Sequence, residues 1–147
     1  MSEEKLTPQQ VQALSEKFQQ FQYQAESIAQ QLNVLQITIR DLETALITIT
    51  ALKDEPAGKE TLVPIGFGSF VNATLTNPEK VVIGIGAGVS VEKKIDEAKA
   101  LLEKRKGELT KYQEQMNSTL EKLGSEMQNI QKIAQKHQQT QQPMQAE

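Results

Sequence analysis

The chain has 147 residues, 37% hydrophobic but only 4% aromatic, with a formal charge of −3, no Cys, no Trp and one His. One domain's length so poor in large rings lacks the usual filling of a globular core, and its abundance of Gln, Glu, Lys, Leu and Ile reads as long helices. Absent cysteine excludes a disulfide framework and a thiolate zinc site, the lone His137 excludes a His-based metal cluster or a Ser-His-Asp triad within one chain, and the acidic balance disfavours nucleic acid and anionic membrane. Neither a catalytic centre nor a cofactor site is expected. The acidic start Met1-Ser2-Glu3-Glu4-Lys5 has no apolar run behind it, so no secretory signal is expected. Val81 to Val91 is the longest apolar run, broken by glycines and well short of the ~20 residues that span a bilayer. A soluble, cytoplasmic protein is the expectation.

The first element is a helix over 8–52. Thr7-Pro8-Gln9-Gln10 offers an N-cap, a proline at the first helical position and a Gln placed to close a capping box, with Leu6 and Val11 as a hydrophobic staple. Asp54-Glu55-Pro56-Ala57-Gly58 stops it, because proline and glycine cannot continue a helix. Between these signals two apolar sets keep heptad spacing. One is Val11, Phe18, Ala25, Leu32, Ile39 and Leu46; the other is Leu14, Phe21, Ile28, Leu35, Leu42 and Ile49. Filled a and d positions sustained this far predict a left-handed coiled-coil seam.

From 61 to 91 the pattern changes. Leu62–Ile65, Ser69–Leu75, Val81–Ile85 and Val89–Val91 are short runs rich in β-branched residues. Gly66-Phe67-Gly68, Asn77-Pro78 and Gly86-Ala87-Gly88 are turn signals between them, which predicts two β-hairpins. Isolated hairpins are marginal in water, and open edges invite other chains. This segment therefore reads as an assembly module. Its candidate contacts are Leu62, Val63, Ile65, Phe67, Phe70, Val71, Leu75, Val81, Val82, Ile83, Ile85, Val89 and Val91.

A second helix is expected over 91–135, starting near Ser90 with Glu92 in its first turn. Ile95, Leu102, Leu109, Met116, Leu123 and Ile130 fill its a positions. Its d positions are mixed: Ala98, Arg105, Tyr112, Thr119, Glu126 and Ile133. From Met116 onward the apolar partners move one place to Leu120, Met127 and Ala134, as at a stutter. The remaining 136–147 is Gln-rich, contains Pro143 and reads as a disordered tail. Folding the second helix back so that paired positions sum to 144 sets Ile49 against Ile95, Leu46 against Ala98, Leu42 against Leu102, Leu32 against Tyr112 and Leu14 against Ile130. The arm would be roughly 60 Å long, with both chain ends at its tip.

Two constellations invite a chemical reading. Gly84-Ile85-Gly86-Ala87-Gly88 sits where a phosphate loop could be, but its spacing fits neither nucleotide fingerprint, and a hairpin turn is the better reading. Lys104-Arg105-Lys106 lies between Glu103 and Glu108 and reads as a solvated helix face. His137 falls in the tail and is given no role. The four phenylalanines say more: Phe18 and Phe21 sit near the helix tip, Phe67 and Phe70 in the first hairpin. Seam packing accounts for the first pair in part, but the register sets Phe18 against Glu126 and Ala25 against Thr119. An apolar seam residue facing a polar one is incompletely covered. The tip should therefore expose Val11, Leu14, Phe18, Phe21, Met127, Ile130 and Ile133, a surface suited to varied apolar partners.

The order helix, two hairpins, helix, with Leu62-Val63-Pro64-Ile65-Gly66 opening the middle and Lys80-Val81-Val82-Ile83-Gly84-Ile85-Gly86-Ala87-Gly88-Val89-Ser90-Val91-Glu92-Lys93 closing it, resembles the alpha class of prefoldin subunits, archaeal type. The likeness runs from about Thr7 to Ala134, and the two hairpins point to the alpha rather than the beta class. It implies an α+β fold: a long antiparallel coiled-coil hairpin with two β-hairpins inserted between the helices, which oligomerise into β-barrels. It also implies a hexamer with beta-class subunits, two alpha and four beta. Such a complex holds unfolded or nascent proteins at the coiled-coil tips and passes them to a cytosolic group II chaperonin without ATP. The alternative is a structural coiled-coil scaffold that oligomerises through its strands and binds no client.

Overall fold

Thr7 caps the first helix through its hydroxyl. The backbone N–H of Gln10 donates to Thr7 Oγ1 at 3.3 Å, and Gln10 Oε1 accepts the Thr7 backbone N–H at 2.8 Å, closing a reciprocal box. That satisfies two donors a helix start otherwise leaves orphaned. The structure, a computed structural model, describes residues 5–141, and α1 occupies Pro8–Leu52. Its last turns are rich in β-branched residues, which lose rotamer freedom in a helix. Thr44, Thr48 and Thr50 each donate their hydroxyl to the carbonyl four residues back, at 2.8–3.0 Å. After Leu52 the chain turns through Pro56 and Gly58, whose φ of +86° is the left-handed conformation glycine adopts most readily.

Four strands follow: β1 (Glu60–Gly66), β2 (Ser69–Thr74), β3 (Lys80–Gly86) and β4 (Val89–Lys94). They form two separate antiparallel pairs, β1 with β2 and β3 with β4. The two hairpins are one design repeated at an offset of 20 residues. Glu60 pairs Thr74 as Lys80 pairs Lys94, Val63 pairs Val71 as Ile83 pairs Val91, and Gly66 pairs Ser69 as Gly86 pairs Val89. Each first strand carries one extra residue before its turn, Ile65 or Ile85, where the register slips. Each turn places both central residues at positive φ, Phe67 (46°) with Gly68 (67°) and Ala87 (52°) with Gly88 (74°). Those are the signs of a type I′ turn, whose twist matches the strands it joins. Gly84 to Gly88 is thus strand and hairpin turn.

The second helix starts and ends later than its sequence suggests. Val89, Ser90, Val91 and Glu92 belong to β4, and α2 begins at Ile95 with Asp96 and Glu97 in its first turn. The ladder to Lys80 outcompetes helix formation over these residues, and the Ile95 N–H still donates to Glu79 O at 3.1 Å. At the far end α2 continues to Gln141, so 136–141 are helical where a disordered tail was expected. Gln and Lys are good helix formers, and each residue added to an existing helix gains a hydrogen bond at little cost. The rest of the expected tail, 142–147, lies outside the described residues.

Two compact units make up the chain: α1 to Gln36 with α2 from Lys111, and Ile37–Thr110 with both hairpins. In the hairpin unit, Ile49, Ile95, Ala98 and Leu102 join Ile83 of β3 in one buried cluster, with Leu42, Leu46 and Val81 packed against it. Two ion pairs tie its helix segments, Lys53–Asp96 at 3.2 Å and Lys106–Glu43 at 3.0 Å. Both are solvent-accessible, so they contribute little beside the apolar cluster. In the helix unit, Leu35, Met116, Leu123 and Ile130 are buried. On α2 the second covered column is not the d set. Tyr112 is 51% exposed and Thr119 and Glu126 are exposed, whereas Gln113, Leu120 and Met127 are half-buried. The shift the sequence places after Met116 is already complete at Gln113, which removes Tyr112 from its expected place against Leu32.

A pair of truncations tests this seam. Leu102→Ala should cost about 3 kcal/mol by opening a cavity in the cluster, and Tyr112→Ala less than about 1 kcal/mol. Urea unfolding followed by circular dichroism measures both; equal losses would return Tyr112 to the seam.

Candidate functional site

The assembly candidates divide into two unequal groups. Ile83 is 8% exposed, inside the hairpin unit's own cluster, and Val81, Val91 and Leu75 are half-buried. Ile83 was expected to meet partner chains; it is instead spent on α1 and α2, because alternate residues of β3 point to one face and the helices cover that face. The opposite face carries Val82, 71% exposed, across from Glu92. Ile85 and Val89 near the turn are also exposed.

The first hairpin has neither face buried, Ala73 alone of its strand residues being half-covered. Every residue of β1 is exposed. Leu62 (60%) and Phe70 lie on one face with Pro64, and Val63 and Val71 pair on the other. Ile65 (67%) adds to the exposed surface at the bulge. Fully burying such a side chain contributes roughly 1.5–3 kcal/mol, and the chain's own contacts leave a large part of that surface uncovered. Phe67 is the clearest case. It is fully exposed, yet its φ of 46° is a conformation that costs a bulky L-residue about 1–2 kcal/mol. The hairpin turn imposes that conformation, as it does at Ala87 (φ 52°), so the ring is held out in solvent as a candidate contact for another chain.

The second candidate surface lies where α1 begins and α2 ends, within the helix unit. An open groove of about 690 Å³ runs between Leu6, Val11, Leu14 and Phe18 on one side and Ile130 and Ala134 on the other, with His137 and Gln141 at its rim. Val11 is exposed, and Leu14 and Phe18 are half-buried. Ile130 departs from expectation: at 7% exposure it forms the floor and is no free contact surface. It continues the buried a column, which holds its seven-residue spacing to the end of the seam. Ile133 is exposed and lines an adjoining groove with Lys5, Lys136 and His137. Phe21 and Met127 are half-buried and line neither groove. The Lys17 ammonium lies 5.5 Å from the Phe21 ring centroid, within cation–π reach.

Sequence reasoning missed some of the groove's lining. Leu6 was legible only as a staple residue and Ala134 only as a seam residue. His137 was assigned to a tail and is helical, 2.9 Å from Gln141 Nε2. It also missed Arg105, which reaches the second hairpin. Among the described residues, no group of three or more His, Asp or Glu side chains is placed to hold a metal, and no helix is long and apolar enough to cross a membrane.

Comparison with known proteins places these surfaces in context. The family model described as prefoldin subunit matches residues 21–140. The chain is 46% identical over 136 residues to prefoldin subunit alpha of Methanosarcina barkeri, covering 90% of this chain and 92% of that protein. It is 35% identical over 130 residues to prefoldin subunit alpha of Pyrococcus horikoshii, covering 88% and 86%. Among solved structures it is similar to a filamentous PFD from Methanocaldococcus jannaschii, with a TM-score of 0.68, 25% identity, and coverage of 78% of this chain and 95% of that one.

Phe67 gives a substitution that separates folding from association. Phe67→Gly relieves the positive φ, so the free chain should unfold at the same or slightly higher denaturant. Self-association or partner binding, read by native mass spectrometry, should weaken about tenfold or more, as for loss of an interface aromatic. Undiminished association would remove Phe67 from the contact surface.

Proposed function

The chain belongs to the prefoldin family, and from that premise we propose that it holds unfolded proteins at the groove between the start of α1 and the end of α2. Prefoldins are chaperones rather than enzymes, and this chain is a chaperone subunit of the alpha type. Its partners in this reading are four beta-class subunits and a second alpha subunit, joined through the exposed faces of the two hairpins. The held chain then passes to a group II chaperonin in the cytoplasm.

The observation that carries the reading is that apolar surface is open in two separate places of different character. The hairpins offer flat, β-branched and aromatic faces with unpaired edges, a shape that suits strand-to-strand assembly. The groove offers Leu6, Val11, Leu14 and Phe18 over a buried Ile130 floor, in a segment whose other exposed residues include many Gln side chains. An extended apolar stretch can rest there without a fixed sequence being demanded. One groove of this kind binds weakly. Several carried by one complex raise the effective concentration of the remaining sites and supply avidity that no single groove has. No nucleotide is needed for holding. Release follows from competition by the next chaperone or from folding of the client.

A second reading has an observation of its own. The similar Methanocaldococcus jannaschii structure is filamentous, and open strand edges here would also permit copies of this chain to add to one another. In that case the protein is a structural scaffold without clients.

Two variants separate these outcomes. Val11→Ser with Phe18→Ser should reduce suppression of aggregation of a chemically denatured protein severalfold while leaving the mass of the assembled complex unchanged; full holding activity in the double variant would reject the groove as the client site. Val82→Asp places a charge on an exposed face beside Glu92, so the helices should be unaffected while assembly with beta-class subunits is lost. A normal complex in size-exclusion chromatography would sink the hairpin interface.

A further inference from the structure

The two hairpins share register, bulge and turn geometry, yet they are anchored differently. Arg105, from a d position of α2, donates from one guanidinium nitrogen to Gly84 O at 3.1 Å and from the other to Ile85 O at 3.3 Å. These are the carbonyls of the extra residue in β3 and of the residue before it. Among the described residues, no side chain bonds the matching carbonyls of Pro64 and Ile65 in the first hairpin. The Arg105 fork therefore acts where the ladder is locally interrupted and the backbone is least constrained by its own pairing. Beneath it, Ile83 anchors the same strand in the helix cluster, two residues before the bulge.

The choice of residue fits the task. A guanidinium presents two parallel donors in a rigid plane and keeps its charge at any pH the protein meets, whereas an ammonium is a single point of charge on a flexible stem. Two charge-assisted bonds to consecutive carbonyls fix both the position and the direction of the bulge. They leave the apolar face with Val82, and the turn residues Ile85 and Val89, presented to solvent.

We propose that Arg105 is the positioning residue of the assembly module: it sets the second hairpin in its binding-ready orientation before partners arrive, while the first hairpin is placed only by contact with them. This rests on the reading of the hairpins as the subunit interface. Preorganisation of this kind lowers the ordering cost of association and changes neither the strands nor the seam.

The test compares Arg105→Gln and Arg105→Lys in the full chain. In the unassembled Gln variant, amide hydrogen exchange over Gly86–Val89 should accelerate about tenfold, while exchange over Gly66–Ser69 stays at its original rate, since that turn has no strap to lose. The concentration needed for half-assembly with beta-class subunits should rise about tenfold, and thermal unfolding of the helices should move by no more than about 2 °C. Arg105→Lys should recover only part of the loss, because the charge is kept and the fork is not. Equal acceleration in both hairpins, a large fall in helix melting, or assembly at the original concentration would each overturn the positioning role. If the unaltered chain fails to assemble with beta-class subunits, the reading of the interface falls; the exchange contrast between the hairpins still decides whether Arg105 fixes the second one.

Discussion

Two α-helices packed side by side share a single strip of contact, and a two-stranded sheet buries nothing without a neighbour. Every later feature of this protein follows from how little apolar surface such parts can cover. In α2 burial follows one main column at seven-residue spacing, Ile95 and Leu102 in one unit and Met116, Leu123 and Ile130 in the other, joined only by Ala98 beside the hairpins. Side chains flanking the column are only half covered, and beyond them the helix surface is wet. Large rings have no interior to fill in this arrangement. The four phenylalanines consequently sit at edges, where a partner can complete their burial.

The repeated hairpin shows the same limit acting twice with different outcomes. The unit's helices have enough free surface to cover one face of one hairpin, and Ile83 takes that place. Its counterpart at the same position of the first hairpin, Val63, remains exposed. A chain whose copies of one motif are unequally satisfied carries an unsaturated half into any assembly. Arg105 belongs to the same accounting. Leaving the seam for the hairpin turn, it gives up a d position, and the covered column of α2 has passed to Gln113, Leu120 and Met127 beyond it. Membership of the prefoldin family fits these surfaces, since a chaperone subunit needs one surface for its partners and another for what it holds.

Much of this was legible in the residues themselves. Apolar residues at strict 3-4 spacing specify a coiled-coil seam, because only that period keeps one strip facing its partner. The Gly-x-Gly turns and flanking β-branched runs specify hairpins, since positive φ at adjacent positions is tolerated almost only there. Thr7, Pro8 and Gln10 specify where the first helix begins. What could not be read were outcomes of competition. Glu92 is as suitable for a first helical turn as for a strand, and the ladder between Lys80 and Lys94 decided the matter. Lys136 to Gln141 is compositionally a tail, and it is helical because elongation continues past the last seam residue.

The sequence by itself determined the order of elements, the α1 side of the seam and the positions of both turns, because each is a local rule about backbone angles or side-chain period. Tertiary structure alone decided which apolar residues stay available. Ile130 and Val11 share the apolar pattern of the helix ends, yet one is a groove floor and the other its exposed wall. Arg105 has the sequence signature of a solvated charge, and its function depends on two carbonyls about twenty residues away in the chain. Exposure and long-range hydrogen bonds are properties of what lies next to a residue in space, and no period along the chain encodes that neighbour.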